Sequence, residues 1–277
     1  MAVSAFSVEQ SAAPPRPELP PEILNPPQDR RFKSPAGRAR AVVVTFYVVI
    51  AASLYGIFAD VYGLRAVNAG LDDKPDADAM LRTSDTLDIV AGLAYTLPVL
   101  VLIVLFLMWF ARAYGNLPAL GIGMPPRSTG WAVGSWFVPF VAWVVPLFSA
   151  NDIWRSGDTE APPSEPWYDR PVSWIVGAWW AAWVVTSFLG NIVGRAWWGT
   201  ATELEEYKTA YTLDLVSLST DIVAALLAIA FVRRATARQQ ARAEQIEREG
   251  IKEPPPRPPA EFTTAPAWKP ADELGSA

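Results

Sequence analysis

Long apolar blocks, rather than short amphipathic runs, set the layout of this chain. Ile89 to Ala111 carries no charge over 23 residues, enough at 1.5 Å per residue to cross a bilayer core of about 30 Å. Comparable blocks run from Ala41 to about Leu64, broken only by Asp60, from about Val172 to Trp198, and from Tyr211 to Val232. The pattern predicts an all-α integral membrane protein whose membrane domain covers residues 41–232, with spans at about 41–64, 88–111, 172–198 and 211–232.

A further stretch, Gly130 to Trp154, is apolar and uncharged until Asp152, yet holds Pro139, Pro146 and four tryptophans. Each proline removes a helical donor and clashes with the preceding turn, so a straight helix is not expected here. If residues 130–150 cross, there are five spans. If they dip in and return as a re-entrant segment, or lie in the plane of the interface, there are four.

Charge separates the two counts. Arg30, Arg31, Lys33, Arg38 and Arg40 precede the first span, and Arg233, Arg234, Arg238 and Arg242 follow the last. Basic clusters flanking spans are retained on the cytoplasmic side. Four spans keep both clusters on that side, whereas five would export one of them. The four-span reading gathers Arg112, Arg127, Arg155 and Arg170 on the basic side and leaves an acidic polar loop, residues 65–85, on the other, where Ser84 or Asp85 could cap the second span. Both termini are then cytoplasmic, and the protein is expected in the plasma membrane.

Residues 1–40 read as a disordered Pro-rich tail with a basic end, 233–250 as a basic juxtamembrane helix and 251–277, with its PPPRPP run, as a second disordered tail. The first 30 residues lack the basic start and apolar core of a cleavable signal, so the first span is expected to direct insertion. Each Lys or Arg beside an anionic leaflet contributes about 1 kcal/mol, so Arg233, Arg234, Arg238 and Arg242 are expected to meet lipid head groups. The tails are the expected contact for protein partners.

Composition narrows the chemistry. The 277 residues include no Cys and no His, which removes disulfides, the usual zinc and haem ligands, and thiol or imidazole catalysis. No phosphate loop or nucleophile elbow is present. No enzyme, cofactor or metal site is expected, apart from a residual possibility of carboxylate chemistry at Asp152 or Asp221. A net charge of −5 without a concentrated basic face argues against nucleic acid.

One ordered set of residues carries a family resemblance: Trp109, Arg112, Asn116 and Gly121, then Trp131, Trp136, Phe137, Pro139, Pro146, Asp152 and Trp154. This set resembles domain of unknown function 4328, a family of mostly actinobacterial multi-pass membrane proteins with no established activity. The resemblance spans roughly Ala41 to Arg234. It departs from the family pattern where an Asn falls on Ala142, an Arg on Val145 and another Arg on Asn151. Relatives with Arg at the Val145 position would not place it at mid-bilayer, where it costs about 3 kcal/mol or more, so the resemblance implies a non-spanning segment.

The candidate functional residues are polar groups inside the apolar blocks. Asp60, Asp88, Asp214, Asp221 and Arg195 fall in the acidic-side half of four different spans. Asp214, Ser217 and Asp221 share one face of the last span, while Ser187, Asn191 and Arg195 share a face of the one before, so two polar stripes could meet. They could form a cation or proton pathway or a structural contact between the two helices. Gly190 and Gly194 make a GxxxG suited to helix packing within the bundle, and the tryptophans suit interfacial anchoring. The leading expectation is a non-enzymatic membrane scaffold or interaction protein of the cell envelope. The alternative is a small transporter or channel component using Asp221 and its polar neighbours.

Overall fold

The computed structural model describes residues 31–122, 125–160, 166–199 and 203–249, with the side chains of 195–199 outside that description. Residues 1–30 and 250–277, which hold nearly all of the two Pro-rich tails, also lie outside it. Among the described residues six α-helices follow one another: α1 (Ala36–Leu71), α2 (Ala77–Gly115), α3 (Thr129–Gly134), α4 (Val145–Ser156), α5 (Trp174–Gly199) and α6 (Leu204–Glu249). No strand occurs among the described residues. Helices α1, α2, α5 and α6 are each long and apolar enough to cross a membrane.

These helices outlast their apolar blocks. The acidic loop expected over 65–85 shrinks to the turn between Leu71 and Ala77, with Asp73 at φ 52°. Ala66, Val67 and Ala69 continue α1 because they are buried, and Ser84 and Asp85 lie inside α2 rather than capping it. The last span and the basic helix after it are one element, α6, since no Gly or Pro falls between Leu204 and Glu249 to stop it.

Close packing of α1 against α6 rests on glycines seven residues apart. A Cβ added at Gly56 would meet Leu218, one at Gly70 would meet Leu204, and one at Gly63 would overlap the ring of Tyr211. Large side chains of α6, themselves seven apart, thus seat on the bare backbone of α1 in an antiparallel seam. The predicted GxxxG does not do this: no atom lies within 4 Å of a Cβ at Gly190 or Gly194. The antiparallel order brings the start of α1 beside the end of α6, where Gln240 Nε2 donates to Ser34 Oγ at 3.1 Å.

The Gly130 to Trp154 stretch is a hairpin. Its two helical arms are bent 110° apart, and Phe140, just after Pro139, holds φ 63° at the break. Near the tip, Trp143 stacks on Phe188 at 5.0 Å. Phe188 lies fourteen residues into α5, about 21 Å along its axis, so the hairpin runs deep beside α5 rather than lying flat at one end. Both arms return to the same end of the bundle, where Arg127 and Asp152 form an ion pair at 2.9 Å. The stretch is thus bent rather than flat, with both ends at one end of the bundle.

Most of the tryptophans described in this region pack into the core rather than an interfacial belt, whereas Trp131 and Trp174 stay exposed. Trp109 is fully buried, Trp179 and Trp180 nearly so. Trp136 meets Phe106 edge-on at 5.6 Å and Trp183 at 5.5 Å, and Trp179 stacks on Phe231 at 4.8 Å. Aromatic pairs of this kind contribute about 0.5–1.5 kcal/mol each beyond area burial. Together they plug the bundle on its basic side.

Candidate functional site

Four carboxylates converge on the acidic side of that plug. Asp60 comes from α1, Asp88 from α2, and Asp214 and Asp221 from α6, so the helices that the glycine seam and the α1–α2 turn hold together also gather the acids. Tyr211, the residue seated on Gly63, donates its hydroxyl to Asp88 Oδ2 at 2.5 Å and lies 2.8 Å from Ser84 Oγ. About two turns further along α2, Tyr95 donates to Asp221 Oδ2 at 2.8 Å. Thr186 of α5 lies near Asp221 and donates to Trp183 O at 3.1 Å.

Asp60 differs from the rest. It is only 4% exposed, and its Oδ2 has no hydrogen-bond partner. Among the described residues, the charges that act on it are Asp214 and Asp88. None of the four aspartates pairs with an arginine or lysine among the described residues. Nor, among the described residues, do three carboxylates group closely enough to hold a metal ion.

Other predicted members do not join. Asn191 is exposed and donates back to Ser187 O of its own helix at 2.7 Å, so the two expected polar stripes do not face each other. Ser217 is buried on α6. The side chain of Arg195 lies outside the described residues. The tyrosines were not foreseen, although Ser84, Asp88 and Tyr95 follow spacings of four and seven that place them on one face of α2.

The family-signature residues organise the basic end. Trp109 Nε1 donates to Thr236 Oγ1 at 3.0 Å, and Asn116 clasps the Lys33 backbone through both amide atoms. Arg112 is half-buried, and Gly121 turns the chain at φ 89°. Trp131 and Phe137 are exposed on the first arm of the hairpin, whereas Pro146 is buried at the start of α4. Trp154 lies beneath the Arg238 guanidinium at 4.8 Å. Burial pushes the Asp152 carboxyl up to about 6, against the opposing pull of Arg127 and Arg155.

The four arginines expected to meet lipid divide into two pairs. Arg233 and Arg234 are exposed. Arg238 instead bonds Asp158 at 3.5 Å, and Arg242 is only 6% exposed. Helical periodicity explains the split, since Arg238 and Arg242 share the face that carries buried Ala235 and Gln239.

No curated protein and no solved structure matches the chain. A family model does match, over residues 72–237, from the acidic turn through the plug to the inward-facing part of α6. The chain therefore belongs to the family described as domain of unknown function (DUF4328).

Proposed function

We propose that this integral membrane protein is a small, non-enzymatic transporter or channel component that takes up protons from its acidic end. One observation carries the reading: four carboxylates from three apolar helices gather beside tyrosine and serine hydroxyls, with no basic partner among the described residues. Ionisable groups at such positions are costly in a membrane and mark ion or proton routes. Tyr211, Asp88 and Ser84 supply hydroxyl and carboxyl groups for transfer near the mouth, and Tyr95 with Asp221 supplies them deeper. The aromatic plug closes the far side, so passage requires the plug to shift.

The basic end is proposed to face the cytoplasm of the plasma membrane, following the retention of Arg38, Arg112, Arg127, Arg233 and Arg234 on that side. The scaffold reading rests mainly on the Pro-rich tails, which lie mostly outside the described residues, and on exposed Arg233 and Arg234. Under that reading, deleting the tails abolishes partner recovery.

A purely structural role for the acids is separable by Asp221→Asn, because asparagine keeps an oxygen to accept from Tyr95 but cannot ionise. Purified protein in liposomes with a trapped pH dye is expected to speed proton entry, and Asp221→Asn to return it to the protein-free rate while folding normally. Unchanged proton entry in the variant removes the pathway.

A further inference from the structure

The antiparallel seam fixes which acids face each other. Gly56 opposes Leu218 and Gly63 opposes Tyr211. Four residues on from Gly56 is Asp60, and four back from Leu218 is Asp214. Asp60 and Asp214 therefore stand opposite one another between two glycine contacts, where the helices are held closest. Their mutual electrostatic interaction agrees with that register.

Two like charges in such a place repel, and each loses hydration, so both cannot remain ionised without a cation between them. The described residues offer none. The groups facing the pair are Asp88 from α2, Asp221 and Tyr211 from α6, and Gly56 and Gly63 from α1; no arginine or lysine among the described residues bonds to any of these acids. A hard metal cation needs about six oxygen ligands, and the described residues group no three carboxylates for one. A proton needs only two oxygens. The Asp60 Oδ2 atom, buried and without a donor, is the oxygen left waiting for it.

From this geometry we infer that Asp60 and Asp214 form a carboxylic acid–carboxylate pair that binds one proton between them. Asp88 stands outside the pair, where its Oδ2 accepts from Tyr211. The inference rests on the proton-uptake reading for its purpose and names the ligand of that same site. Binding balances simply: one proton enters from the acidic side and the pair passes from charge −2 to −1, with no other bond made or broken.

Infrared spectroscopy of the full chain in lipid at neutral pH tests it. Wild type is expected to show the carbonyl stretch of a protonated carboxylic acid that shifts in heavy water. Asp60→Asn and Asp214→Asn are each expected to remove the band, and Asp88→Asn to leave it. Absence of the band in wild type, which needs no variant to fold, overturns the pair, as does its survival in both Asp60→Asn and Asp214→Asn. The band without proton entry into liposomes leaves the pair standing and removes the transport reading; proton entry without the band does the reverse.

Discussion

Gly63→Leu is expected to abolish recovery of folded, monodisperse protein. Its added Cβ alone would overlap the Tyr211 ring, and that ring is held in place by bonds to Asp88 and Ser84, so it cannot swing aside without stranding them. Overpacking a tight contact costs about 1–3 kcal/mol even for single methylenes, and leucine adds several at the narrowest point of the seam. Gly56→Ala should cost less, since the atom it meets is the far end of Leu218 at 2.9 Å. Gly190→Ala, with nothing within 4 Å, should be neutral. Thermal unfolding and gel-filtration profiles in detergent check this order. A Gly63→Leu protein as stable as Gly190→Ala would contradict the seam.

Arg127→Ala is expected to loosen the hairpin and cost on the order of 3 kcal/mol, because it leaves the Asp152 charge buried without its partner. The Asp152 side chain is 7% exposed, and Arg127 is its closest cation. The pH dependence has a definite sign. A carboxyl raised from 3.8 to about 6 binds more protons folded than unfolded, so its stabilisation is complete below 3.8 and is lost as pH rises through 6. Wild-type stability should therefore fall between pH 4 and 6 on account of this group. Asp152→Asn should flatten that slope, while Arg127→Ala, which removes a cation that holds the carboxyl down, should carry it to higher pH. Unfolding midpoints across the range measure both.

Much of this architecture is legible in the sequence, and the parts that are not share a physical origin. Apolar length marks α1, α2, α5 and α6, and paired prolines with flanking arginines mark the hairpin, because these are local properties of the chain. Asp60, Asp88, Asp214 and Asp221 stand out as charges within apolar blocks. Their tyrosine partners do not, since Tyr95 and Tyr211 look like ordinary apolar-block residues until α2 and α6 are brought together. The tryptophans follow the same logic: an interfacial anchor and a core residue have the same local sequence, and only the returning hairpin tells them apart. Arg238 reads as a membrane-surface cation because its turn inward depends on Asp158 and Trp154, and Arg242 does so because its burial appears only once the helices pack. The period of seven in Gly56, Gly63 and Gly70 was a readable signal for the seam, matched by Leu204, Tyr211 and Leu218.

The placement of the acids at one end and the basic clusters at the other depends on the Gly130 to Trp154 hairpin turning back, and single-cysteine labelling tests that most directly. The chain has no cysteine, and Asp78, Glu160 and Arg248 are exposed. One cysteine at each position in turn, probed with a membrane-impermeant maleimide on intact cells, reports the side of the membrane. Asp78→Cys is expected to label at once, and Glu160→Cys and Arg248→Cys only after lysis. Labelling of Asp78→Cys and Glu160→Cys from the same side would contradict the hairpin and with it the one-ended acidic site.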